Sequence, residues 1–147
     1  MALTGTYSRT LDQKHRLAVP KRLRMQFSQS GQELASLYVA PESGESLGLY
    51  SPEAFEKLAN RLAESTANRA EVRNYLRLFY ARAERVDVDG QGRIRIPDRL
   101  VDYAHLRHEI MLIGVHDHAE IWDRKLWEDF LSKHTAHFDE MALKAFE

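Results

Sequence analysis

The sequence predicts an α+β protein: two halves pack about a pseudo-twofold axis and close one small β-barrel, with a helical hairpin inserted between them and a helix at the C-terminal end. Three observations carry that expectation. The stretch LDQKHRLAVPKRLR, Leu11 to Arg24, returns as VDGQGRIRIPDRLV, Val88 to Val101, at an offset of 77 residues. Under that offset Asp12 meets Asp89, Arg16 meets Arg93, Pro20 meets Pro97, Arg22 meets Arg99 and Leu23 meets Leu100, while Leu17/Ile94 and Val19/Ile96 match in kind. Next, each copy opens the same series of short elements: strand, turn, strand, short helix, strand, strand. A lone half would leave its apolar faces in water, and a duplicated chain carries its own partner. Finally, two amphipathic helical stretches lie between the copies and have no counterpart in the repeat, so they form the insert.

In order, Thr6 to Leu11 reads as a strand leading into the polar turn Asp12-Gln13-Lys14-His15, and Arg16 to Val19 resumes with Leu17 and Val19 apolar. Pro20 suits the first position of a short helix, where its missing N–H has no partner to lose. That helix runs to about Phe27 and stops before Ser28-Gln29-Ser30-Gly31. Leu34 to Val39 and Leu47 to Tyr50 are strands around the loop Pro41-Glu42-Ser43-Gly44. Ser51 caps a helix with the stripe Phe55, Leu58, Ala59 and Leu62. After a connection from Glu64 to Ala67, Asn68 and Glu71 form a capping box for a helix striped by Val72, Tyr75, Leu76, Phe79 and Tyr80.

The second copy replays this: strand Arg82 to Val88, tight turn Asp89-Gly90-Gln91-Gly92, strand Arg93 to Ile96, and a Pro97-led helix to about His105. Strands follow at Glu109 to Val115 and Glu120 to Trp122. Asp123 then caps a last helix in which Trp127 answers Phe55 at an offset of 72, and which continues through Phe130, Leu131, Phe138 and Met141 with a break near Thr135. The resulting units are residues 6–54, a linker at 55–82, residues 83–126, and a tail at 127–147.

With 147 residues, 44% hydrophobic and 29% charged, the chain is of a size and composition to bury a real core. It has no cysteine, which excludes disulfides and thiolate metal sites. No apolar run approaches the roughly 20 residues that span a bilayer, and the first residues lack a signal-peptide pattern. A cytoplasmic location is expected. The net charge of −1 argues against a general polyanion binder, but Arg9, Lys14, Arg16, Lys21, Arg22 and Arg24 stand against Asp12 alone between residues 9 and 24. The segment 120–147 holds seven acidic and four basic residues. Solvated charge without a partner is the plainer alternative.

The chemistry of the repeat lies in its turns. Gly90 and Gly92 permit positive φ, and Asp89 can accept hydrogen bonds from the turn's own N–H groups. Asp-x-x-x-Arg places carboxylate and guanidinium on opposite shoulders, able to pair across the turn. On that basis alone the motif could be a hairpin that only specifies the fold. Residues two apart share a strand face, so Arg93 and Arg95 point away from the core that Ile94 and Ile96 enter. Together with Lys14 and Arg16 they are candidates to meet one ligand. A two-stranded ribbon fits a major groove, and arginine reads guanine edges with two parallel bonds. Lys14, Lys21, Arg22 and Arg24, with Arg9, would serve phosphates; the alternative reading makes Arg22 and Arg99 fold-internal, since both copies keep them beside Leu23 and Leu100.

Other constellations are thin. GQG lacks the third glycine and the following helix of a dinucleotide fingerprint. His116-x-His118 and His134/His137 lack a matching carboxylate or cysteine, so no metal and no other cofactor is expected. No catalytic grouping stands out, so an enzyme is not expected. The aromatics Phe55, Phe79, Tyr80, Trp122, Trp127 and Phe130 sit at core periodicity.

Two copies of Asp-x-x-x-Arg-φ-x-φ-Pro, with φ apolar, flanking a helical hairpin resemble the MraZ proteins, each copy being similar to a SpoVT-AbrB swapped-hairpin module. EIMLIGVHDHAEIWDRKLW, Glu109 to Trp127, resembles the segment that closes the second module. The likeness runs from about Gly5 to Phe130. It implies a bacterial transcriptional regulator that assembles as a ring-shaped homo-oligomer, with no membrane partner. As a nucleoid-associated repressor, the ring would bind short direct repeats in double-stranded DNA, at the promoter of the division and cell-wall cluster that includes its own gene, the second turn contacting DNA less strongly for want of a lysine equivalent to Lys14. By position, the likeness assigns DNA contact to Lys14 and Arg16, and to Gln91 and Arg93, with Asp12, His15, Asp89 and Gly92 shaping the turns. Two positions depart from the family pattern: His15 stands where the first motif usually has glycine, and Val101 where an arginine equivalent to Arg24 would stand. The competing readings are an AbrB-type antitoxin and a scaffold that binds protein through the acidic helical tail without binding DNA.

Overall fold

The computed structural model describes residues 2–28, 31–32, 34–65 and 70–147. It is an α+β protein. Eight strands are β1 (Thr6–Thr10), β2 (Arg16–Ala18), β3 (Ser36–Glu42), β4 (Ser46–Tyr50), β5 (Glu84–Asp87), β6 (Arg93–Arg95), β7 (Glu109–Val115) and β8 (His118–Asp123). The helices are α1 (Lys21–Phe27), α2 (Pro52–Ser65), α3 (Ala70–Arg82), α4 (Asp98–Tyr103), α5 (Arg124–His134) and α6 (Phe138–Ala145), with a 3-10 turn at Thr135–His137.

Six strands form one antiparallel sheet in the order β1-β7-β8-β4-β3-β5, and β2 pairs with β6 as a separate ribbon. The order reads the same from both ends once the copies are exchanged, which is the pseudo-twofold relation the repeat implies. Each copy's first strand leaves its own half: β1 pairs with β7 of the second copy and β5 with β3 of the first. The copies meet along β4 and β8, where Leu47 faces Ile121.

The expected closed barrel is not formed by strand pairing. The sheet ends at β1 and β5, and the ribbon remains apart because each motif strand is three residues long and turns back at once. A bridge from Leu11, the residue after β1, to Leu17 joins that edge of the sheet to the ribbon.

The core lies between sheet and ribbon. Leu17, Val19, Leu23, Ile94, Ile96 and Leu100 pack from the two motifs against Leu37, Val39, Leu47, Leu49, Ile110, Leu112 and Ile121 of the sheet. Alternation sends the other strand faces the opposite way, where Ala40 and Tyr50 join Phe79 of α3, with Tyr38, Phe55 and Leu58 packed on them. Phe55 stacks on Tyr38 at 4.3 Å between ring centres, which seats the helical hairpin on the sheet. Tyr50 meets Phe55 edge-on at 5.7 Å, and Trp122 meets Trp127 edge-on at 5.3 Å, so the offset of 72 pairs equivalent contacts.

Caps follow the sequence where they are described. Ser51 Oγ accepts from the N–H of Ala54 at 3.1 Å, and Asp123 accepts from Lys125 at 3.2 Å. Asn68 and residues 66–67 of the expected connection lie outside the described residues, while Glu64 and Ser65 belong to α2. Several bounds differ. Arg82 ends α3 instead of opening a strand, and β8 starts at His118. Pro41 and Glu42 belong to β3, not to a loop. Beyond Val39, β3 has lost β5 as a neighbour, so a residue without an N–H is tolerated there. Helix α5 starts at Arg124, directly after its cap Asp123, and the break at Thr135 is the 3-10 turn. Phe79 and Trp122 are buried as expected of packing aromatics; Tyr80 and Phe130 keep an exposed edge while still packing, Tyr80 edge-on to Phe55 and Phe79 and Phe130 against Trp122 and Trp127. No described helix is long and apolar enough to cross a membrane.

Candidate nucleic-acid interface

The two turns share one hydrogen-bond plan. Asp12 Oδ1 accepts from the backbone N–H of Lys14 at 2.9 Å and of Arg16 at 2.8 Å, and its Oδ2 accepts from Arg16 Nε at 2.7 Å. Asp89 accepts likewise from Gln91 at 2.8 Å, Arg93 at 3.0 Å and Arg93 Nε at 2.9 Å. Each turn is closed by an N–H at its fourth residue, His15 to Asp12 O and Gly92 to Asp89 O, both 2.9 Å. That residue is left-handed in both, with φ of 60° at His15 and 76° at Gly92. Glycine takes this conformation freely and histidine at a cost.

Hydrogen bonds to an ionised carboxylate favour that form. The backbone N–H of Arg16, assisted by its guanidinium and the N–H of Lys14, lowers Asp12 from an ordinary 3.8 to about 2. The N–H of Arg93, then that of Gln91 and the Arg93 side chain, lower Asp89 in the same way. In each turn the arginine gives its aspartate Nε, so among the described residues both terminal nitrogens are left without a partner. The aspartate thus fixes the stem while the fork faces outward, the geometry that suits a phosphate or a guanine edge.

The ribbon joins the turns. Its register sets Arg16 opposite Arg95 and Ala18 opposite Arg93, while Leu17 faces Ile94 on the core side. Like charges directly opposite each other destabilise a strand pair, and Arg95 has no ion pair among the described residues. Lys14, Lys21 and Arg22 are also exposed and unpaired among them. Arg99 is exposed too, bonded to Glu84 at 3.1 Å, so neither Arg22 nor Arg99 is internal to the fold. Arg9 lies on β1 at the sheet edge, not on the ribbon, with its guanidinium on the carbonyl of Ser8 at 2.7 Å.

The turns dock on the opposite copies. Val19 N–H donates to Gly92 O at 3.0 Å, and Ile96 N–H donates to His15 O at 2.8 Å. The first turn therefore sits against α4, where His15 Nδ1 lies 2.8 Å from Asp98 Oδ1. The second sits against α1: a Cβ built on Gly92 would stand 2.6 Å from the guanidinium carbon of Arg24. The sequence assigns Arg24 to the first motif; the fold delivers it to the second turn, with Nε held by Val19 O at 3.1 Å. Sequence reasoning also missed Asp98. The available signal was that the chain's two departures, His15 and Val101, occupy the positions equivalent to Gly92 and Arg24.

No grouping of three His, Cys, Asp or Glu able to hold a metal occurs among the described residues. A cavity of about 580 Å³ lined by Gln26, Phe27, Ser51, Lys57 and Arg61, among others, includes no residue of either turn.

Interleaved copies and an outward arginine fork at each end of a cross-copy ribbon define a duplicated aspartate–arginine-turn protein with a cationic ribbon surface. The family described as MraZ protein, putative antitoxin-like, matches it twice, over residues 2–78 and 79–147, and the chain belongs to that family. It is 30% identical over 136 residues to Transcriptional regulator MraZ of Finegoldia magna, covering 92% of this chain and 91% of that one. It is 30% identical over 141 residues to the protein of the same name from Moorella thermoacetica, covering 95% and 94%. To the one from Bifidobacterium longum it is 31% identical over 140 residues, covering 95% and 89%.

Proposed function

We propose that the protein is a sequence-specific DNA-binding transcriptional regulator acting through its two Asp-x-x-x-Arg turns. The observation that carries this reading is the pair of arginines, each anchored by Nε and presenting an unbonded fork at one end of a single ribbon. Arg16 and Arg93 read or clamp the duplex, Arg95 and Lys14 extend the contact along the first end, and Lys21 and Arg24 along the second. The names of the relatives support the same class. The functional units are residues 6–54 and 83–126, joined by 55–82 and followed by the tail 127–147, and their interleaved strands complete one swapped-hairpin core.

One protomer offers few phosphate contacts, and the net charge of −1 supplies no general attraction. Affinity comes from several protomers engaging repeated sites, where linkage raises avidity by ~10²–10⁴-fold. A ring-shaped homo-oligomer on direct repeats upstream of its own division and cell-wall gene cluster, acting as a repressor, meets that need. Exposed Phe138, Leu143 and Phe146 on the tail supply apolar surface for assembly. The same surface favours a second reading, a scaffold that binds protein and not DNA.

Gel shifts on DNA upstream of the gene, with salt and repeat number varied, separate the two. A regulator loses affinity steeply with salt and with each repeat removed; a scaffold retards no DNA at any salt.

A further inference from the structure

We propose that the two turns are unequal anion sites: Arg24 of the first copy completes the second turn as the principal phosphate clamp, while His15 and Asp98 fill and neutralise the equivalent place at the first. The inference rests on the DNA-binding reading and adds which turn leads and which residue makes it lead.

Equivalent positions hold opposite chemistry. At the second turn Gly92 lacks a side chain, and the Arg24 guanidinium occupies that space, with Nε 2.9 Å and Nη1 3.0 Å from where a Cβ would be. Gly92 is buried beneath it, and Arg24 has no carboxylate partner among the described residues, so its charge is uncompensated. At the first turn His15 carries a side chain that points to Asp98, and the residue equivalent to Arg24 is the buried, uncharged Val101. The two departures from the repeat are therefore one exchange. The counterpart of a guanidinium over glycine at one end is, at the other, an imidazole held by Asp98, with a valine where the arginine would stand.

The surrounding charges follow. At the second turn stand Arg24 and Arg93 with Asp89, and Lys21 opens the helix docked on it; at the first stand Lys14, Arg16 and Arg95 with Asp12 and Asp98. Lys21 holds the position equivalent to Asp98, so the helix start facing each turn carries opposite signs. A phosphate approaching the second turn meets the extra guanidinium beside the free fork of Arg93. At the first it meets an added carboxylate.

The test measures binding of the full chain to its upstream DNA and to random duplex over a salt series, with thermal melts to confirm folding. Arg24→Gln is expected to weaken both complexes about tenfold and to flatten the slope of log affinity against log salt by about one. Arg93→Ala is expected to cost more than Arg16→Ala. The pair His15→Gly with Val101→Arg rebuilds the guanidinium over glycine at the first turn and is expected to raise affinity and steepen the slope by about one. Should Arg24→Gln fail to fold, this double variant still decides. Wild-type binding that depends on Arg16 and Arg93, yet shows no gain in the folded double variant, overturns the proposal and leaves the DNA-binding reading standing. No salt-dependent binding by the wild type overturns both.

Discussion

Leu17 and Ile94, equivalent residues of the two motifs, face each other across the β2–β6 ribbon, both fully buried between it and the sheet. The repeat thus packs against itself inside one chain. Leu17→Ala or Ile94→Ala removes volume from both halves, and each is expected to cost about 2–5 kcal/mol. Chemical denaturation should show one cooperative transition shifted as a whole, because neither half keeps a complete sheet without the other.

Arg16→Ala and Arg93→Ala leave the core untouched. Each is expected to keep the thermal unfolding midpoint near the wild-type value and to reduce affinity for repeat DNA about ten- to a hundredfold, as loss of a two-bond contact does. Fluorescence anisotropy with labelled upstream DNA measures it. Arg22→Ala, which alters an exposed charge on the outer side of α1, is expected to have a smaller effect.

The turns set an acid limit. Asp12 has its folded-state value depressed to about 2 from 3.8, so its contribution is fully present above 3.8 and is lost as pH falls through about 2. Asp89 is depressed by the same arrangement. The turn geometry should therefore hold unchanged from neutral pH to about 4, with the Arg16 and Arg93 Nε–H resonances shifting only below that. An NMR titration reads this directly, and Asp12→Asn should abolish the Arg16 response.

Gly92→Ala places a Cβ at φ 76° against the Arg24 guanidinium. The left-handed strain and the displaced arginine together are expected to destabilise by about 1–2 kcal/mol. His15→Gly relieves similar strain while giving up the bond to Asp98, so its melting temperature should move much less. Differential scanning calorimetry compares the two.

Phe138 and Leu143 are 69% and 73% exposed. Phe138→Ser with Leu143→Ser should leave the unfolding free energy within about 0.5 kcal/mol, as surface changes do. Sedimentation velocity should report a smaller assembly, and cooperative binding to repeated sites should fall with it.

Much of the fold was legible because it is written in local periodicity. The alternation of Leu17 and Val19 and of Ile94 and Ile96, the prolines at 20 and 97, and the caps at Ser51 and Asp123 each state a local conformation. The aspartate–arginine turn was legible for the same reason, since its bonds span four residues. Boundaries failed where a neighbour decided them: Pro41 lies in a strand because β5 stops short beside it, and Tyr80 and Phe130 keep an open edge because they sit at the rims of aromatic clusters centred on Phe79 and Trp122.

The sequence by itself determined that the chain is doubled, that each copy carries an arginine held by an aspartate, and that one face of each motif is apolar. Only the tertiary structure decided which copy completes which turn. Docking distances across the pseudo-twofold axis have no local signature, because Arg24 and Gly92 are 68 residues apart and meet only when strands of the two copies interleave. That meeting moves a charge counted with the first motif onto the second.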